Sequence, residues 1–159
     1  MAAATWTSAA IARAPAAPFT PDGQLFTVSV PEGSFRTQVG STTTFTDNLN
    51  SVTIDALTTS TAPTVDGVLA TDVPRIAGSA AGYQAGETSE VGRTVGTAVL
   101  STYRADAAPD PVTNRVVNDD VERYVFFHDG TEVVVTLAGP HGAANVDPWR
   151  IVTDSFAWS

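Results

Sequence analysis

Val121-Glu122-Arg123-Tyr124-Val125-Phe126-Phe127-His128-Asp129-Gly130-Thr131-Glu132-Val133-Val134-Val135-Thr136-Leu137 is the clearest pattern in the chain. Two β-branched and aromatic runs flank Asp129-Gly130, a two-residue type I′ turn signature, so the stretch reads as a β-hairpin. The turn sets the register. Tyr124 faces Val135 and Phe126 faces Val133 on one side, and Val125 faces Val134 and Phe127 faces Glu132 on the other. Both sides carry large apolar groups. A sheet with one wet face would alternate apolar and polar residues instead. The hairpin is therefore expected at the centre of the domain and covered on both sides, as in a layered α/β arrangement or a sandwich.

Downstream, Asp147 reads as a helix N-cap with Pro148 at the first helical position, where its missing N–H costs nothing. Trp149, Ile151 and Val152 then form one apolar face, and Phe156 and Trp158 follow as a short extended end docked on the core. Upstream, Leu25 to Val30 alternates, with Phe26, Val28 and Val30 on one face, and Pro31-Glu32-Gly33 stops the strand. Thr42–Thr46 and Val52–Leu57 form a second hairpin around Asp47-Asn48-Leu49-Asn50. Residues 58–63 read as a loop. Asp66 to Ile76 offers one or two helical turns, weakened by Gly67 and Pro74. Gly78 to Gly92 reads as an exposed loop. Thr97–Tyr103 is a strand, 106–111 a loop, Val112–Val117 a weak strand, and Asn118-Asp119-Asp120 a turn.

The chain has 159 residues, a net charge of −9, no cysteine and no lysine; its eight positive charges are all arginine. This length fits one domain with a real core. The composition excludes a disulfide framework, a thiolate nucleophile, a lysine Schiff base and a phosphate-loop lysine. The acidic balance argues against nucleic-acid binding, which needs a basic footprint. No stretch reaches the roughly 18–20 apolar residues of a membrane span. Residues 1–18 are rich in Ala, Pro and Thr and read as a flexible spacer, with a single domain over 19–159. The spacer lacks the basic and apolar regions of a complete secretory signal. Two placements fit: cytoplasmic as written, or outside the cytoplasm, anchored or secreted through a segment upstream.

The order of strand, Asp-Gly turn, strand, short helix and Ser155-Phe156, together with Val30-Pro31-Glu32-Gly33, resembles the PsbP-like family. The resemblance is strongest to exported or lipid-anchored PsbP-like proteins of actinobacteria, and the lysine-free, Ala- and Arg-biased composition is similar to that of high-GC actinobacterial proteins. The resemblance implies an α+β, β-rich fold, an antiparallel sheet flanked by short helices, with accessory or assembly roles and no catalytic residues to carry over. This chain departs from the family in the middle, where 58–90 lacks the expected long helix.

Candidate chemistry is sparse. His128 and His141, with Asp129 or Asp147, match no metal-ligand spacing, and the default reading of both is an exposed turn or loop histidine. Asn118, Asp119, Asp120 and Glu122 gather charge without the Asp-rich, glycine-turned pattern of a calcium loop; a solvated turn is the simpler reading. Ser79 lies in Gly78-Ser79-Ala80-Ala81-Gly82, which is not a nucleophile elbow. Trp149, Trp158, Phe156 and Tyr124 read as core aromatics before they read as a ligand groove. Neither a metal nor a cofactor is expected.

Polar segments outside the core are the natural place for function. The candidate binding residues are accordingly Tyr83, Glu87, Glu90, Arg93 and Arg104, from the 78–92 and 104–120 regions. The expectation is a non-enzymatic extracytoplasmic accessory or binding module at the cell envelope, monomeric, with another envelope protein as partner. A structural or assembly protein, such as a virion or surface-layer component, and a small hydrolase are the alternatives.

Overall fold

The structure is a computed structural model that describes residues 16–159. Most of the expected spacer therefore lies outside the described residues. Its last part does not: Ala16–Phe19 forms the first strand, β1. The strands that follow are β2 (Phe26–Pro31), β3 (Phe35–Val39), β4 (Thr42–Asp47) and β5 (Asn50–Thr58). Helical residues come next, as α1 (Val65–Gly67), a π-helical turn (Val68–Asp72) and α2 (Val73–Ser79). Then come β6 (Gln84–Arg93), β7 (Gly96–Asp106), β8 (Asn118–His128), β9 (Thr131–Pro140), α3 (Val146–Ser155) and β10 (Ala157–Trp158).

The described residues form a seven-stranded sheet in the order β3-β4-β5-β9-β8-β7-β6 and a three-stranded one in the order β10-β2-β1. Every strand pairing is antiparallel. The central hairpin has the register its turn implies: Tyr124 opposes Val135, Val125 opposes Val134, Phe126 opposes Val133 and Phe127 opposes Glu132. Asp129 and Gly130 both take positive φ, 49° and 81°, as a type I′ turn requires.

Both faces of the hairpin are covered. Tyr124, Phe126, Val133, Val135 and Leu137 share a core with Phe26, Val28, Val30, Trp149, Val152 and Phe156. The rings of Phe126 and Phe156 stack at 4.3 Å, and Phe26 stacks on Phe156 at 5.2 Å. On the opposite face, Val68 from the π-helical turn packs with Val99, Val125 and Val134. An ion pair ties the same helical segment down, with Arg123 Nη1 2.7 Å from Asp72 Oδ2.

Several sequence expectations need correction. The expected one or two helical turns at 66–76 extend over Val65–Ser79. Thr64 caps the start, its hydroxyl accepting from the Gly67 N–H at 2.9 Å. The π-helical turn closes with the Val73 N–H donating to the Val68 carbonyl, and Pro74 follows within the first turn of α2, where it has no N–H to leave unpaired. The expected loop at 78–92 is mostly β6, an edge strand whose small and polar residues hide the strand signal.

The expected weak strand at 112–117 is instead a loop held by Asp110. Its Oδ1 accepts from the backbone N–H groups of Val112 and Thr113 at 2.8 and 2.9 Å. Those two bonds also hold the Asp110 carboxyl below its ordinary pKa. Asn118, Asp119 and Asp120 are not a turn: they open β8 and pair with Asp106, Ala105 and Arg104. Helix α3 starts at Val146, so Asp147 is inside its first turn and Asn145 is the cap residue. Trp149 and Val152 are buried as expected, but Ile151 points outward and Thr153 takes its place in the core.

Candidate functional site

The pairing of β7 with β8 places Thr102 opposite Glu122 and Arg104 opposite Asp120. Alternation along both strands directs these four side chains to the face that carries α3. The start of α3 and the segment before it stand over them. The result is a groove of about 350 Å³. Gln84 and Gly86 form one lip, Val146 and Trp149 the apolar wall, and Thr102, Arg104, Asp120 and Glu122 the polar floor. Trp149 is nearly buried, whereas Val146 is 76 % exposed at the mouth.

Gly86 makes the lip possible. The β6–β7 register slips between Ala85 and Thr88, and a Cβ at Gly86 would collide with the Thr102 carbonyl. The glycine lets the strand kink against β7. The Glu87 N–H then donates to the Thr102 hydroxyl at 3.1 Å.

A chain of polar contacts supports the floor. Arg93 Nε donates to the Thr153 hydroxyl at 3.0 Å, and Arg93 Nη2 to the Tyr124 hydroxyl at 2.7 Å. Tyr124 in turn donates to Glu122 Oε1 at 2.7 Å. The Arg93 guanidinium also lies 5.0 Å from the centre of the Tyr124 ring. Burial, reinforced by the Glu122 carboxylate, pushes the Tyr124 phenol up to about 12, so it stays a neutral donor at physiological pH.

The two floor carboxylates differ. Asp120 Oδ1 lies 3.8 Å from Arg104 Nε and 2.8 Å from His141 Nδ1, so its charge is shared with neighbours. Glu122 has no cation within ion-pair distance among the described residues. It presents a negative charge, anchored by a neutral phenol, beside an apolar wall.

The expected binding residues do not converge. Tyr83 stacks on Tyr103 at 5.5 Å, and Glu90 opposes Val99, both on the side of the sheet that carries α1 and α2. Glu87 is exposed at the register slip. Arg93 is half-buried and braces β6 against β8 and α3. Of the five, Arg104 alone lines the groove. Thr102, Glu122 and Val146 were not expected there, because nothing local in the sequence fixes the register of β7 against β8.

Among the described residues, no three His, Cys, Asp or Glu side chains gather as a metal site. His128 is exposed, its ring 5.5 Å from that of Trp158. The Ser79 hydroxyl is used at the end of α2, donating to the Arg75 carbonyl at 3.1 Å. No helix among the described residues is long and apolar enough to cross a membrane.

No family model matches the chain, and no curated protein is significantly similar to it in sequence. Solved structures are similar in fold. The cyanobacterial PsbP (CyanoP) of Synechocystis aligns with a TM-score of 0.64 at 11% identity, over 97% of this chain and 98% of that one. The Ran-binding protein Mog1p of Saccharomyces cerevisiae aligns with a TM-score of 0.59 at 13% identity, over 91% of this chain and 96% of that one. A Bacteroides thetaiotaomicron protein aligns with a TM-score of 0.58 at 11% identity, over 89% of this chain, which spans about half (48%) of that protein. The chain thus has the α+β fold shared by PsbP and Mog1p, with its antiparallel seven-stranded sheet, a smaller second sheet and covering helices.

Proposed function

We propose that this protein is a non-enzymatic binding module whose groove between α3 and β6–β8 receives a cationic, partly apolar segment of a partner protein. The observation that carries the reading is the Glu122 carboxylate, unpaired by any described cation and set beside Trp149 and the exposed Val146. Such a site favours an arginine or lysine whose aliphatic stem lies along the apolar wall while its charged head reaches the carboxylate. The chain's net charge of −9 adds long-range attraction for a basic partner. The placement outside the cytoplasm, at the envelope of an actinobacterium, belongs to the same proposal. It rests on the Ala/Pro/Thr-rich opening residues and the lysine-free composition.

Nuclear magnetic resonance tests the reading. The full ¹⁵N-labelled chain is titrated with a short peptide alternating leucine and arginine, and separately with its leucine–glutamate counterpart. The expected result is shift changes at Thr102, Glu122 and Val146 with the first peptide only. Shifts elsewhere, or equal shifts with both peptides, would reject the groove as a cation-reading site. Fractionation of source cells tests the placement, and recovery with the cytosol would reject it.

A further inference from the structure

The seven-stranded sheet ends on two edges that differ in kind. β6 is a guarded edge: it carries Glu87, Glu90 and Arg93 and slips register between Ala85 and Thr88. Charges and bulges of this sort discourage further pairing. β3 is less guarded, with a single charge, Arg36, and no register slip. Its five residues, Phe35-Arg36-Thr37-Gln38-Val39, are all exposed, with Phe35 at 72 % and Val39 at 80 %. It contains no proline, no glycine and no bulge in its pairing with β4.

We infer that β3 is the docking edge for a second copy of this chain, pairing antiparallel with itself about Thr37. The strand is self-complementary in that register. Phe35 would oppose Val39 of the second copy, Arg36 would oppose Gln38, and Thr37 would oppose itself. Each class of side chain meets a suitable partner, and the one charge on the strand never faces its own copy. Arg36 and Gln38 share one face of β3, where Arg36 Nη2 donates to Gln38 Oε1 at 3.1 Å.

The backbone agrees. Val39 and Thr42 flank a two-residue turn, so they form the pair that exchanges hydrogen bonds between β3 and β4. Alternation then turns the backbone groups of Arg36 and Gln38 outward, to the free edge. In the proposed register those two residues oppose each other across the two-fold axis, which is where antiparallel bonds are exchanged.

Charge selects the same patch. The chain carries 17 acidic residues, yet residues 34–46 contain none. The nearby Asp55 carboxylate accepts from Ser41 at 2.6 Å, at the turn end of the patch. Two copies of a −9 chain repel over most approaches, and this edge lets them meet without opposing carboxylates. The inference replaces the monomer expected from sequence and is independent of the groove.

The absence of cysteine makes the test clean. Thr37→Cys would place two thiols at a non-hydrogen-bonded pair, with Cα atoms about 4.5 Å apart and within disulfide reach. Mild oxidation of the full chain should give covalent dimer rapidly from this variant and slowly from Ser60→Cys, an exposed control. Sedimentation equilibrium of the unmodified chain should show a monomer–dimer equilibrium. Gln38→Pro, which removes one outward N–H and leaves the bonds to β4 in place, should weaken it about tenfold. Arg36→Glu should weaken it similarly without a proline. A chain monomeric at every concentration, equal oxidation rates for the two cysteine variants, or dimers indifferent to both edge variants that fold as judged by circular dichroism, would overturn the inference.

Discussion

Replacing Arg93 by alanine separates a brace from a binding residue. Its guanidinium donates to Thr153 on α3 and to Tyr124 on β8, and it lies against the Tyr124 ring. A hydrogen bond from a charged donor contributes about 1.5–3 kcal/mol when it is well shielded. Arg93 is only half-buried, so solvent screening reduces each of the two bonds to about 0.75–1.5 kcal/mol. The aromatic contact adds about 0.5–1 kcal/mol. Tyr124 keeps its bond to Glu122, and Thr153 keeps its bond to the Trp149 carbonyl at 3.1 Å, so neither is left orphaned. The expected loss is about 2–4 kcal/mol. For a chain of this size that lowers the melting temperature by about 4–16 °C and the urea midpoint by about 1–2 M. The assay is urea unfolding of the wild type, Arg93→Ala, Tyr124→Phe and the double variant. The pair should couple by about 1 kcal/mol or more. Additivity within about 0.5 kcal/mol would refute the brace and return Arg93 to the surface as a binding candidate.

Phe126→Ala removes a ring that is 1 % exposed and stacked on Phe156, and should cost about 3–5 kcal/mol in the same assay. Val152→Asp should abolish cooperative unfolding, while Ile151→Asp should change stability by less than about 0.5 kcal/mol, because Ile151 faces solvent on α3. Burial raises the carboxyl pKa of Asp119, helped by Asp120, and of Glu132, helped by Asp72. The folded state therefore binds these protons before the unfolded state does. These two groups favour folding increasingly as pH falls from their raised values toward the ordinary 3.8 and 4.5, and the effect is lost as pH rises through the raised values. The stability difference between the wild type and Asp119→Asn/Glu132→Gln should accordingly shift toward the wild type on acidification from neutral pH, measured by urea midpoints.

The elements that sequence reveals here are those whose local signals agree with their tertiary setting. Asp129-Gly130 fixes both the turn and the register of β8 with β9, and alternation in Phe26–Val30 shows which side of β2 is buried. The β6 strand is opaque because an edge strand with Gly86, Gly92 and mostly exposed polar residues lacks the apolar alternation that marks a buried strand. β3 is hidden for the same reason, since none of its residues is buried. The helical segment at Val65–Ser79 is only partly legible, as one or two turns over 66–76, because Gly67 and Pro74 lower helix propensity, while burial of Val68 and the Asp72–Arg123 ion pair offset that cost. In sequence the groove shows at Arg104, within a 104–120 region that also holds Asp120, and at Trp149, whose core reading comes first. Its other floor residues meet through the β7–β8 register, which an eleven-residue loop (107–117) leaves undefined in sequence. Val146 gives no local sign either: it precedes the residues Asp147 and Pro148 that look like a helix start.

Isothermal titration of the leucine–arginine peptide into the wild type and Glu122→Gln, at low and at physiological salt, puts the groove to its most direct trial. Glu122 is partly exposed, so its substitution should leave the fold intact and weaken binding about fivefold to tenfold, with a flatter salt dependence than the wild type. Equal affinities and equal salt dependences for the two proteins would contradict the assignment of Glu122 as the residue that reads the partner's charge.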